Sequence, residues 1–214
     1  MGGIFVDKNK KIMTINGALV VSNKTGLYTD NFQAYSAGAL AGQGNWVYTR
    51  PSTTGVVIED FAGDKRVKTN SATDCIVHLT GSFPNNQYAQ LKMDVGGSGN
   101  FSGPAVRCST GGNCYEINTD GGNIYVTVFV NDIWVTDLDS APISLVSGDI
   151  IFVSIIGNTL KVLKNGLPIT NLGDANGEMS AGGHLSSGAP GLMAYTNNGN
   201  VAWGWDDFEC TAPN

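Results

Sequence analysis

Thr159-Leu-Lys-Val-Leu-Lys-Asn165-Gly166-Leu-Pro-Ile-Thr170 is the stretch that decides the fold. Two runs of alternating apolar and polar residues flank Asn-Gly, the pair that best tolerates positive φ at both centres of a two-residue hairpin turn. Asp149–Ile156 lies just upstream and is separated from it by Gly157-Asn158, so one strand leads directly into the next. The same pattern continues in both directions. Strands are predicted at Asn45–Thr49, Gly55–Glu59, Cys75–Leu79, Tyr88–Asp94, Ala105–Cys108, Cys114–Ile117, Ile124–Val130, Ile133–Asp137, Leu167–Thr170, Pro190–Thr196 and Val201–Glu209. Asn85-Asn86, Gly96–Asn100 and Asp120–Asn123 break them with turn chemistry. So many short strands on meander spacing define an all-β chain, a sandwich or a barrel.

Composition agrees. Glycine supplies 29 of 214 residues, about twice its usual share, and charged residues only 14% against about 25% in an average domain. Only four glutamates occur, too few for a helical bundle, while 42% apolar residues suffice for a core. The net charge of −6, with no long basic cluster, makes nucleic acid an improbable partner. The longest apolar run, Ile150–Ile156, is far shorter than the ~18 to 20 residues of a membrane span, so no membrane insertion is expected. The first residues lack a basic stretch followed by an apolar one, so no secretion signal is expected.

Residues 1–29 read as an N-terminal hairpin or arm, with Asn16-Gly17 between Lys11–Ile15 and Ala18–Val21. Residues 30–214 read as one domain. Residues 33–44 and 171–189 have no strand pattern and are long enough for functional or Ω-type loops. Cys108 and Cys114 flank a Gly-Gly-Asn turn and can face each other across a hairpin as a disulfide, or remain free thiols. Cys75 and Cys210 would then be left to pair, although four cysteines allow three connectivities.

Several strings carry a family resemblance. Asp30-Asn31-Phe32 followed by a Gly-rich crossing to Gln43 and Trp46 resembles the opening of concanavalin A-like lectin/glucanase jelly rolls, including laminin-G-type domains. Gly103-Pro-Ala-Val-Arg107 with the return at Tyr115 is similar to a paired strand of that family. So are Ser147–Gly166, Ser187-Gly188-Ala-Pro-Gly191-Leu192 and Trp205-Asp206-Asp207-Phe208 to its hairpin and closing strands. Spanning about residues 30–210, the resemblance implies a two-sheet antiparallel jelly-roll sandwich and leaves activity open.

Glucanases of this superfamily carry paired carboxylates, Glu-x-Asp-x-(x)-Glu, on one strand, and no such string occurs here. Asp137/Asp139, Glu59/Asp60 and Asp207/Glu209 are the nearest approaches, the last being a structural match to the closing strand. The Gln-x-His strand of related polysaccharide lyases is missing at His78, and His184 sits in a Gly-rich loop. The sequence therefore reads as a non-enzyme, with a glycoside hydrolase or lyase as the remote alternative.

Sugar recognition needs an aromatic face beside amides or carboxylates. Trp134, Tyr195, Trp203 and Trp205 are the candidates, the last two sharing one strand face; the alternative is that these rings fill the core. Calcium is a recurring partner of laminin-G-like domains. Asp174, Asn176 and Glu178 offer oxygen ligands in a Gly-containing loop, without the spacing of an EF-hand. Two functions remain. One is a bacteriophage virion protein, a capsid decoration or tail appendage docked on its shell or on neighbouring subunits through residues 1–29, exposed on the virion surface and able to hold glycans. The other is a secreted, extracellular lectin-like carbohydrate-binding module. Either allows a homo-oligomer.

Overall fold

A computed structural model describes residues 10–15, 18–23, 27–50, 55–69, 75–95, 100–120, 122–196 and 204–211. The alternating runs form strands throughout. In chain order they are β1 (Lys10–Ile15), β2 (Ala18–Asn23), β3 (Leu27–Asp30), β4 (Gly38–Ala39), β5 (Trp46–Tyr48), β6 (Val56–Phe61), β7 (Asp64–Thr69), β8 (Cys75–Leu79), β9 (Gln87–Val95) and β10 (Asn100–Ser109). They continue as β11 (Asn113–Thr119), β12 (Asn123–Val130), β13 (Ile133–Pro142), β14 (Ile150–Ile156), β15 (Thr159–Lys164), β16 (Leu167–Pro168), β17 (Glu178–Ser180), β18 (Ala189–Thr196) and β19 (Gly204–Thr211). The deciding turn has φ of 52° at Asn165 and 80° at Gly166, positive at both centres as the sequence requires.

Two antiparallel sheets stack face to face. One runs β13-β12-β11-β10-β18-β8-β5, the other β16-β15-β14-β9-β19-β7-β6-β4, with β3 pairing β19 and β17 pairing β15. Between them lies one apolar layer. Tyr115, Ile117, Val126 and Val128 of the first sheet meet Leu91, Ile151, Val153, Val162 and Trp205 of the second, and all are buried. β1 and β2 form a two-stranded sheet joined to neither.

Two polar devices hold the loops to this core. Arg107 sits on a bulge of β10 with φ of 52°, and its guanidinium reaches three carbonyls in separate loops. Nε and Nη2 donate to Asn85 O (3.2 and 3.0 Å), Nη2 to Gly157 O (2.7 Å) and Nη1 to Leu185 O (2.6 Å). Asp30 is the second: Oδ2 accepts from Tyr35 Oη (2.5 Å), Trp46 Nε1 (2.9 Å) and Tyr28 Oη (3.2 Å), and Oδ1 from the Phe32 N–H (2.9 Å). Trp46 in turn packs edge-on against Phe208 with ring centroids 4.9 Å apart.

The disulfides expected from the cysteine spacing are not formed: Cys75, Cys108, Cys114 and Cys210 are all buried, and none is in an S–S bond. In the first case Cys114 lies opposite the Arg107–Cys108 bulge, and the two side chains pack in one apolar cluster without an S–S bond. In the second case Cys75 and Cys210 belong to opposite sheets.

His78 is buried on β8, with Nδ1 hydrogen-bonded to Thr49 Oγ1 at 2.7 Å. Burial pushes its pKa down to about 4, so the folded ring stays neutral while the unfolded one protonates near 6.5. The unfolded chain therefore binds more protons between these values, and stability falls on acidification. Unfolding monitored by urea should show a loss of about 2 kcal/mol from this group between pH 7.5 and 5. His78→Gln should flatten that slope.

Candidate functional site

The outer faces of the two sheets differ in chemistry. That of the ten-stranded sheet is laced with ion pairs: Arg66 with Glu59 (3.0 Å) and Asp94 (3.1 Å), Lys92 with Asp207 (2.9 Å), and Lys161 with Glu178 (3.3 Å). That of the seven-stranded sheet presents aromatic rings, amides and hydroxyls around a sunken carboxylate.

Alternation on β11 turns Glu116 and Asn118 to that outer face, because Tyr115 and Ile117 face the core. Thr127 of β12 lies beside Glu116 in register, and Asp137 of β13 beside Thr127. A chain of hydrogen bonds crosses the three strands. Asn118 Nδ2 donates to Glu116 Oε1 (3.1 Å) and to Thr127 Oγ1 (3.3 Å), whose hydroxyl donates to Asp137 Oδ1 (2.8 Å). Trp134 Nε1 donates to the same Asp137 oxygen at 3.3 Å, while the ring is 56% exposed. Glu116, Asn118 and Thr127 are buried, so the ladder runs from the floor of the sheet up to an open indole.

Apolar surface adjoins the ladder. Phe129, opposite Trp134, is covered by the Arg50 guanidinium at 4.4 Å, and Arg50 is itself paired with Asp132. Phe129 belongs with Ile76, Ala105, Cys108, Cys114 and Met193 to a cluster on which half-buried Tyr195 packs. Burial and the nearby Glu116 charge push the Cys108 thiol up, which keeps it protonated and unreactive. Tyr195 on β18 lies four strands from Trp134 on β13 and about six residues further along the strand direction, about 27 Å at ~4.8 Å per strand and ~3.3 Å per residue. The two rings thus mark opposite sides of a strip rather than one pocket.

Of the rings expected to face a sugar, Trp134 and Tyr195 share this face. Trp205 does not: it is 2% exposed, points into the core, and its Nε1 donates to Ser102 Oγ at 2.5 Å. Its strand lies in the other sheet. Trp203 lies outside the described residues. The expected calcium ligands close their own loop instead. Asp174 Oδ1 accepts the N–H groups of Asn176 (2.8 Å) and Glu178 (2.9 Å), and the Glu178 carboxylate holds Lys161. Among the described residues no group of three or more His, Cys, Asp or Glu side chains gathers as a metal site. Glu116, Asn118 and Thr127 escaped the sequence reading. The available signal was Glu116-Ile-Asn118 on a strand whose alternate residues are core, which puts a carboxylate and an amide on the other face.

The ten-stranded sheet also has a groove, about 660 Å³ in volume, lined by Tyr28, Asp30, Lys92, Asp207 and Glu209. Its polar groups are already engaged: Asp30 by four donors, Lys92 and Asp207 with one another, and Glu209 by Tyr88 Oη at 3.3 Å. Asp207 and Glu209 therefore serve there as structural partners.

The fold is that of concanavalin A-like jelly rolls. Solved structures of this kind that the chain resembles include the Bacillus subtilis carbohydrate binding module CBM66 (TM-score 0.50, 12% identity, covering 81% of this chain and 96% of that one). A second is a Bacillus licheniformis β-glucanase (TM-score 0.53, 10% identity, covering 88% and 99%). A third is the exoplasmic/lumenal domain of VIP36 in a Ca2+-bound form (TM-score 0.50, 11% identity, covering 79% and 83%). No family model matches the sequence, and no curated protein does either.

Proposed function

We propose that the protein is a non-catalytic module that holds an extended glycan along the outer face of its seven-stranded sheet. The observation that carries this reading is the exposed Trp134 ring tied through Asp137 to the buried Thr127–Asn118–Glu116 ladder. An indole packs on sugar C–H faces, and the exposed Asp137 carboxylate beside it, held in place by the buried Thr127 hydroxyl, takes up sugar hydroxyls. Tyr195 offers a second ring across the same face, which favours a polymer over a single sugar. Solved neighbours of this fold include a carbohydrate binding module and a glucanase, which agrees with the reading.

Residues 1–29 are then the attachment segment. Among the described residues their hairpin β1–β2 pairs with neither large sheet, although β3 pairs β19, which supports a subunit fastened through the hairpin to a larger assembly. We place that assembly at a virion surface, with a secreted module as the alternative setting. A glycoside hydrolase is the second reading, favoured by the two carboxylates Glu116 and Asp137 on one face, the arrangement that acid/base cleavage of a glycosidic bond uses.

Binding to a panel of soluble polysaccharides, with calcium and with EDTA, tests the proposal. Trp134→Ala should weaken binding about tenfold or more, while Tyr88→Ala on the ten-stranded face leaves it unchanged. Release of reducing ends, abolished by Glu116→Gln, would establish the hydrolase instead. Binding lost in EDTA would move the ligand to an acidic loop.

A further inference from the structure

β13 ends the strand order of the seven-stranded sheet, so the backbone groups along its outer edge meet no further strand among the described residues. Natural edges are usually blunted by charges, prolines, bulges or burial. This one places two bulges, Asp137, Asp139 and Pro142 along its length, but it opens with three consecutive exposed apolar residues, Ile133 (67%), Trp134 (56%) and Val135 (39%). Trp134 faces outward beside Phe129, and Ile133, beside Val130, faces the opposite side; Val135 is the extra residue of a bulge between the Trp134–Phe129 and Thr136–Val128 pairs. Asp132, Asp137 and Asp139 make the same strand and its turn acidic.

The hairpin β1–β2 has the opposite need and the opposite charge. Seven of its twelve strand residues are apolar, yet among the described residues its sheet has only two strands, an arrangement of marginal stability in water. Residues 1–29 carry four lysines against one aspartate, a net +3. Residues 30–214 are left with eight cations against seventeen anions, a net −9. A basic apolar hairpin without a third strand and an acidic apolar edge without a neighbour are complementary in hydrogen bonding, apolarity and charge.

We propose that the hairpin of one copy adds to the β13 edge of a second copy, building a head-to-tail oligomer by strand addition. The donor is another copy because the hairpin's open end is tethered near β3. Four residue steps from Asn23 to Leu27 span at most about 14 Å. The β13 edge lies over β15 and β17, three strand spacings from β19 and one layer up, about 17 Å away. This rests on reading residues 1–29 as the attachment segment, and names the surface that receives them. Ile133 takes no part in the glycan strip.

Light scattering on size-fractionated full-length chain gives the test. Wild type should show the mass of two or more copies, weakened by salt. Lys10→Glu/Lys11→Glu and Ile133→Lys/Val135→Lys should each run as monomers, and mixing them should restore a 1:1 complex, because one supplies an intact hairpin and the other an intact edge. Circular dichroism checks that both variants fold, and Ile133→Thr/Val135→Thr replaces the lysine pair if it does not. A monomeric wild type, an edge variant that still assembles, or a mixture that stays monomeric would each overturn the proposal. Polysaccharide binding by Ile133→Lys is read separately and should be unchanged, so failure of the glycan reading leaves the masses untouched.

Discussion

Replacing Arg107 with methionine should lower the free energy of unfolding by about 4 kcal/mol, the largest effect expected of any single change outside the apolar core. Methionine retains much of the side chain's volume but removes every donor. The carbonyls of Asn85, Gly157 and Leu185 would lose a charged partner that ties three loops to one point. Desolvation alone pushes the Arg107 pKa down, so the cation is tolerated at this depth because those carbonyls replace water. Lysine should recover little, since one ammonium on a flexible stem cannot span carbonyls spread around a planar guanidinium. Chemical unfolding of both variants checks this; a methionine variant within about 1 kcal/mol of wild type would mean that the loops are held by packing.

Asp30→Ala should cost about 3 kcal/mol. The carboxylate accepts from two tyrosine hydroxyls, the Trp46 indole and the Phe32 amide, so truncation strands Trp46 Nε1 in the core. It also releases the turn that holds Phe32 at a φ of 60°, a conformation rare for a non-glycine residue. Asp30→Asn should cost less, because an amide oxygen can still accept from some of these donors. Near-ultraviolet circular dichroism should register the change directly, since Trp46 contacts the rings of Phe32 and Phe208.

Much of this architecture was legible in the sequence, and the exceptions have physical causes. Thr159–Lys164 and Cys75–Leu79 have the bounds expected of them, because alternation and turn residues both mark their ends. β7, Asp64-Lys-Arg-Val-Lys-Thr69, does not read as a strand, since its outward residues are charged and their β character comes from pairing with Glu59 and Asp94 across the sheet. The spacing of Cys108 and Cys114 does bring the two into one cluster across the hairpin, but no S–S bond joins them. For the candidate site, Trp134 and Tyr195 could be singled out as aromatics beside amides or carboxylates. Glu116, Asn118 and Thr127 could not be, because their significance comes from register across β11, β12 and β13. Trp205 misled because alternation shows which residues share a face without showing which face is the core.

The central claim is that the seven-stranded face holds an extended glycan, and titration calorimetry with the tightest polysaccharide of the panel tests it most directly. Wild type should bind longer oligomers of that sugar more tightly than short ones, and Trp134→Ala and Tyr195→Ala should each weaken the long ligand about tenfold, the Trp134 variant while unfolding at the wild-type temperature. Binding of undiminished strength in both variants, or loss only when Tyr88 or Phe152 on the opposite face is changed, would contradict it.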